Sequence, residues 1–357
     1  MKRAGGIAGL SIPFAAGVAA CSFPNMSFTL AAGVSALSLA ALSVLVLHLL
    51  RRGVGYLPYM AAYLILGMFC ASSHRLCLPF PPGCISRFAA SCLSSLQDII
   101  TSMPFGNEDT PSLLVALLTG DRSGLKPSTV AMFRSCGASH LLALSGLHLG
   151  VIYMVVSRLF SLLGGSPAVA RARFGVVCML SSFYALMTGL GPSIVRALLF
   201  ILIGETCRLD PERSRSATRT LAAALTMQLA FSPGQITSVG FQLSYLAMCG
   251  IVLVHPHLDA WYPSGGRSPL RRVWSLVSMT ISCQLFTAPF SYAVFHSFPR
   301  WFLLTNLLAL PLTSLLMMSA VCGVILSAAG ICPQLLLKVV DALSGALLSV
   351  LEIISGM

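Results

Sequence analysis

Apolar residues fill long blocks along almost the whole chain, separated by short polar stretches rich in Arg, Gly and Pro. The blocks fall at 7–23, 28–50, 54–72, 139–163, 172–190, 192–208, 217–232, 236–255, 270–295, 301–329 and 334–355. Most approach or exceed the ~20 residues that a helix needs to cross a bilayer. The pattern predicts an all-α fold, a polytopic helical membrane protein with about 10–11 transmembrane helices. The one sizeable hydrophilic stretch is 73–138. Within it Ile85, Phe88, Cys92, Leu96 and Ile99 recur at helical spacing between polar residues, which predicts an amphipathic helix at the interface or on the bundle. Three regions follow: an N-terminal membrane region over 1–72, an extracytoplasmic segment over 73–138, and a transmembrane core over 139–357.

Several apolar blocks carry polar stripes, which are expensive at membrane depth unless they face protein or a water-filled cavity. The richest is 139–151, SHLLALSGLHLGV. On a wheel of about 100° per residue, His140, Ser145 and His148 fall within an arc of roughly 140°. Ser139, Gly146 and Gly150 gather nearly opposite, where the two glycines allow another helix to approach closely. Further stripes are Ser238, Gln242, Tyr245 and Cys249, with Gly240 on the packing side, and Thr280, Gln284, Thr287 and Ser291. Asn306 and Thr313 flank Pro311, a helix breaker. Arg196 lies one turn into GPSIVRALLF, and its guanidinium suits phosphate. Each stripe has two readings, hydrogen-bonded glue between helices or the wall of a shared polar cavity.

Composition agrees with the hydrophobic pattern: 56% of residues are hydrophobic and 9% charged, against roughly 25% charged in a soluble domain. The net charge of +12 is largely a topology signal. With a cytoplasmic amino terminus, Lys2, Arg3, Arg51, Arg52, Arg158, Arg171, Arg173, Arg208, Arg213, Arg215, Arg219, Arg267, Arg271 and Arg272 all fall inside. Anionic lipid headgroups are sufficient partners for them. Val18-Ala19-Ala20-Cys21 resembles a lipoprotein cleavage site, although an uncleaved first span is the expected arrangement. The 12 cysteines show no metal-binding spacing, and neither a metal nor a cofactor is expected. On the outer side Cys77 and Cys84 flank the turn-rich LPFPPG, which predicts a disulfide between them, with Cys84–Cys92 as the lesser option. No GxxxxGK[ST] motif is present, so any motive force comes from elsewhere.

ALLTGDRSGL (116–125), FRSCGASHLLALSGLHLG (133–150), GPSIVRALLF (191–200), SVGFQLSYLAMCGIVL (238–253) and APFSYAVFHSFPRWFLLTNLLALPL (288–312) follow one another in this order. Together they resemble the ComEC-type competence domain, over roughly 112–357. The resemblance implies an inner-membrane channel that admits single-stranded DNA during natural transformation while the other strand is degraded outside. Longer relatives carry an OB-like module and a metallo-β-lactamase-like domain. Neither their strand pattern nor an HxHxDH cluster occurs here, so a reduced channel without its own nuclease is expected, not itself an enzyme. Its expected partners are single-stranded DNA, the lipid bilayer, a separately encoded nuclease and cytoplasmic DNA-translocation proteins. The residues expected to line the path are His140, Ser145, His148, Arg196, Gln242, Tyr245, Gln284 and Asn306. The competing readings are a secondary transporter or flippase for a smaller anionic solute, and a membrane scaffold for a nuclease or helicase.

Overall fold

A computed structural model describes residues 6–22, 27–51, 56–76, 83–209, 216–262, 269–296, 298–331 and 333–356. Among these residues all regular structure is helical. The helices are α1 Gly6–Cys21, α2 Phe28–Arg51, α3 Tyr56–Leu76, α4 Cys84–Ser102, α5 Asp109–Thr119, α6 Pro127–Ser135, α7 Ser139–Leu142, α8 Gly146–Leu162, α9 Pro167–Met187 and α10 Pro192–Leu209. They continue with α11 Ala217–Phe231, α12 Val239–Leu253, α13 His255–Asp259, α14 Pro269–Phe295, α15 Phe302–Ala328 and α16 Gln334–Ser355. The chain is an all-α polytopic membrane protein.

Five helices among the described residues are long and apolar enough to cross a bilayer: Phe28–Val46, Tyr56–Leu76, Pro167–Met187, Leu270–Phe295 and Phe302–Ala328. That is fewer than the hydrophobic blocks suggested, for two physical reasons. Helices α1, α8, α11 and α12 have 15–17 residues, which makes them only about 22–26 Å long against a hydrocarbon core of ~30 Å. Helices α10 and α16 each carry three charges, Arg196, Glu205 and Arg208 in one and Lys338, Asp341 and Glu352 in the other.

The chain divides into two compact units. The first comprises 1–81 and 202–248. Its core is Phe14, Val18 and Cys21 of α1, Ala71 of α3, Leu229 of α11, and Phe241 and Tyr245 of α12. Helices α1 and α3 cross at touching backbones. A Cβ on Gly17 would lie 2.0 Å from the Leu64 carbonyl oxygen, and one on Gly67 2.2 Å from that of Phe14. Cys21 is buried at the end of α1. Phe14 and Val18, on the amino-terminal side of Cys21, belong to the same core.

The second unit comprises 82–201 and 249–357. Its core joins Leu113, Leu114 and Leu117 of α5, Phe133 of α6, and Leu141 and Leu142 of α7 to Leu316 and Met317 of α15 and Leu347 and Leu351 of α16. Helix α16 buries Leu337, Val340, Ser344, Leu347, Leu351 and Ile354, a three-four spacing that makes one continuous apolar stripe. Polar contacts fix its register: the Gly106 N–H donates to Asp341 Oδ2 (2.6 Å), and Thr110 and Ser344 share a hydrogen bond (2.7 Å). The expected amphipathic helix is α4. It turns Ala89 and Ile100 inward and packs Leu96 on the core, while Ile85 and Phe88 stay exposed.

The Cys77–Cys84 pairing falls on Cys77, outside the described residues. Cys84 and Cys92 are both free thiols on α4. Eight residues of one helix separate them by about 12 Å, beyond bridging range, which corrects the lesser option.

Candidate functional site at a broken helix

The segment 139–151 is not one helix. It is the single turn α7, an extended link, and then α8, which starts at Gly146. Ser145 makes the break. Its backbone is extended (φ −119°, ψ 172°), and its hydroxyl accepts from the Leu147 N–H at 3.3 Å. His148 closes the cap from the other side, its Nδ1 accepting the Ser145 N–H at 3.1 Å. This is a capping box in which an imidazole stands where glutamate or glutamine is usual. The His148 ring is fully buried, and its Nε2 has no hydrogen-bond partner among the described residues. His148 and Ser145 therefore build the break.

His140 has a different setting. Its Nδ1 lies 3.1 Å from the Gly137 carbonyl, so the assigned tautomer donates there and leaves Nε2 as an open acceptor. The His140 side chain is exposed. His140 also lies within electrostatic reach of His148.

Three other segments buttress the break. Helix α5 ends at Gly120 in the left-handed region (φ 80°), and a Cβ there would lie 2.5 Å from Leu144 Cγ, so the turn and the close approach both require glycine. In the next loop Arg122 Nε donates to the Leu142 carbonyl at 3.1 Å, at the end of α7. Asp121 accepts from the Ser123 N–H (3.0 Å) and from Gln97 Nε2 (3.2 Å), and these donors, Ser123 first, hold its carboxyl below the usual carboxylate range. From α9, the Tyr184 hydroxyl donates to the Leu118 carbonyl at 2.7 Å inside the core. From α10, Arg196 and Ala197 close over Gly146: a Cβ on that glycine would meet Ala197 Cβ at 3.3 Å and Arg196 Nη2 at 3.4 Å. Arg196 also acts electrostatically on Cys283 of α14. A fourth segment reaches the turn before α7. At Gly137 (φ 76°) a Cβ would lie 2.6 Å from Pro299, so the loop leading into α15 seats directly on this turn.

The remaining candidates sort by what they touch. Gln284 and Asn306 are half-buried on α14 and α15, and their side chains make no hydrogen bond to a described residue. Gln242 and Tyr245 belong to the first unit and are engaged there. Gln242 Nε2 donates to the Ile236 carbonyl (2.9 Å), and the Tyr245 hydroxyl donates to Gln228 Oε1 (2.9 Å), whose amide continues to Gln235 (2.6 Å). Of the glycines expected at helix contacts, Gly146 has close neighbours, whereas a Cβ on Gly150 or Gly240 would meet no described atom within 4 Å. The tight crossings use Gly17, Gly67 and Gly250 instead, the last facing the Ser282 carbonyl of α14. Arg122 and Tyr184 were not singled out by sequence. The signal for Arg122 was its place in TGDR, beside a glycine and a turn-forming aspartate; for Tyr184 there was none.

A sequence profile described as Competence protein matches residues 117–357, from the end of α5 through every segment that meets at the break. The chain belongs to the competence protein family. It is 28% identical over 220 residues to ComE operon protein 3 of Bacillus subtilis (strain 168), covering 61% of this chain and 27% of that protein. With competence protein ComA of Neisseria gonorrhoeae it shares 31% identity over 193 residues, 51% of this chain and 27% of the relative. An uncharacterized Escherichia coli (strain K12) protein, YcaI, is 25% identical over 245 residues, covering 65% and 30%. The match thus spans less than a third of the length of each of these relatives. No solved structure matches the chain. The family blocks are parts of one construction: TGDR, SHLLALSGLHLG and GPSIVRALLF surround the break, and FPRW (298–301) closes the turn before it.

Proposed function

We propose that this competence-family chain is part of the path by which single-stranded DNA crosses the cytoplasmic membrane during natural transformation. The observation that carries the reading is the helix break. Four sequence blocks far apart in the chain converge there, and they hold one exposed histidine at the turn and one arginine against the start of α8. A strand passing such a site presents phosphates and base edges, which cations and hydrogen-bond donors or acceptors engage without sequence preference. His140, Arg196, Gln284 and Asn306 supply these groups, while Ser145 and His148 position them. The reading keeps the amino terminus in the cytoplasm and 73–138 outside. It leaves strand cleavage to a separately encoded nuclease, and pulling to cytoplasmic DNA-translocation proteins.

The test is uptake per channel, scored as internalised labelled DNA against quantitative blots of membrane fractions. Arg196→Leu is expected to lower it by about ten-fold or more, since a hydrogen bond to a charged group contributes roughly 1.5–3 kcal/mol. Arg196→Lys keeps the charge but loses the planar fork, and restores it only partly. Normal uptake per channel in Arg196→Leu contradicts the assignment, and reduced abundance with normal uptake per channel assigns Arg196 to helix packing.

A further inference from the structure

The loop that seats on Gly137 has a composition unlike the rest of the second unit's surface. Phe298 and Trp301 are exposed at 44% and 45%, and Arg300 between them is exposed as well. Across the contact with Pro299, within three residues of Gly137, stand the exposed Arg134 and His140. The arrangement is fixed. Gly137 receives the Pro299 ring at a distance only glycine permits, the Gly137 N–H donates to the Arg134 carbonyl (3.0 Å), and Phe298 packs edge-on against Phe302 (5.6 Å between centroids). Two aromatic faces and three basic side chains thus share one short rim.

The charge around the rim has one sign along the chain. From 260 to 340 the sequence contains no Asp or Glu, while Arg300 stands in the loop itself. The positive-inside pattern places both 137 and 299 outside the cytoplasm, and the two meet in the fold.

The geometry points to a docking platform for single-stranded nucleic acid at this rim, with Trp301 and Phe298 as stacking faces and Arg300, Arg134 and His140 as phosphate and base-edge contacts. Interleaved aromatic and cationic side chains are the chemistry that holds an unpaired strand without reading its sequence. A rim that served only as an interfacial aromatic belt would use the same aromatic residues. What favours the strand is charge of one sign beside the two rings: Arg134, His140 and Arg300 are exposed, and the sequence has no Asp or Glu from 122 to 204 or from 260 to 340. This inference rests on the DNA-path reading and gives that path its outer entrance.

The experiment uses the full chain in nanodiscs, with Trp261 and Trp274 replaced by Phe so that Trp301 is the sole indole. A dT20 oligonucleotide is expected to quench Trp301 emission, and acyl-brominated lipid is expected not to. In parallel, fluorescence anisotropy of labelled dT20 is expected to show roughly ten-fold weaker binding for Trp301→Ala, with recovery in Trp301→Phe, from loss of one stacking face. Arg300→Ala and Arg134→Ala are expected each to lower the slope of log affinity against log salt by about 0.7, one phosphate contact on a single strand. Quenching by brominated lipid without quenching by dT20 makes the rim an interfacial belt and overturns the platform. Oligonucleotide binding that Trp301→Ala leaves unchanged also overturns it, while the path reading stands on Arg196. A chain that binds no dT20 and takes up no DNA defeats both.

Discussion

At the residue scale, the site depends on a few side chains that finish what the backbone leaves open. Arg122 and Tyr184 each donate to a carbonyl at the end of a short helix, and His148 accepts the N–H that Ser145 would otherwise leave bare at the start of α8. Gly120 is constrained twice, by a left-handed φ of 80° and by Leu144 packed against it. Gly120→Ala is expected to cost about 1–2 kcal/mol from the left-handed backbone, with the Leu144 clash added. Thermal unfolding of the detergent-solubilised protein, followed by loss of the monodisperse gel-filtration peak, is the measurement; an unchanged transition would show that this turn does not brace the break. The polar residues of this site were legible in sequence, because His140, His148 and Arg196 stand out against apolar neighbours. Their division into an open ring and a buried cap was not. Wheel geometry assumes a continuous helix, and Ser145 ends that assumption.

At the element scale, hydrophobic periodicity located the helices well because it reports which face is buried. It failed at 143–145 for an identifiable reason. Ala, Leu, Ser and Gly are apolar or small enough to leave a membrane-length hydropathy block uninterrupted, although Ser-Gly is a turn signal and Ser a favoured N-cap. Glycine packing was only partly legible. Spacing marks which glycines could permit close approach, but only the partner helix decides which do: Gly146 has close neighbours, and Gly17, Gly67 and Gly250 face a backbone. Gly67→Leu is expected to separate α1 from α3 and reduce the membrane-inserted, folded protein several-fold, since overpacking at a fixed crossing costs roughly 1–3 kcal/mol. Gly150→Leu, placed where a Cβ meets no described atom, serves as the control and is expected to be near neutral. Comparable losses in both would mean that the α1–α3 crossing is not special.

At the scale of the whole molecule, the proposed sidedness rests on charge. With the arginine-rich loops facing the cytoplasm, 137, 189–191 and 299 belong to the other side. Inside the second unit, Gly137 meets Pro299, Leu118 meets Tyr184, and Gly146 meets Arg196. Single cysteines at Ser102 and Ser166, in a cysteine-free background, are expected to differ accordingly. A membrane-impermeant maleimide applied to intact cells labels position 102 and spares 166; the reverse pattern inverts the topology. The hydrophilic composition of 73–138 suggested a segment apart, and what sequence could not show is that α5 and α6 share a core with α15 and α16. Contacts such as Gly106 to Asp341, 235 residues apart, are set by tertiary packing and leave no local pattern.

The account stands or falls on whether a DNA strand passes the helix break. A photo-crosslinking amino acid placed at position 140, in cells taking up end-labelled DNA, addresses that directly. Illumination during uptake is expected to join the label to this chain as a single-stranded adduct, and illumination begun after uptake has finished is expected to give none. Uptake that proceeds normally through the substituted protein with no adduct at 140 would contradict the path proposed here.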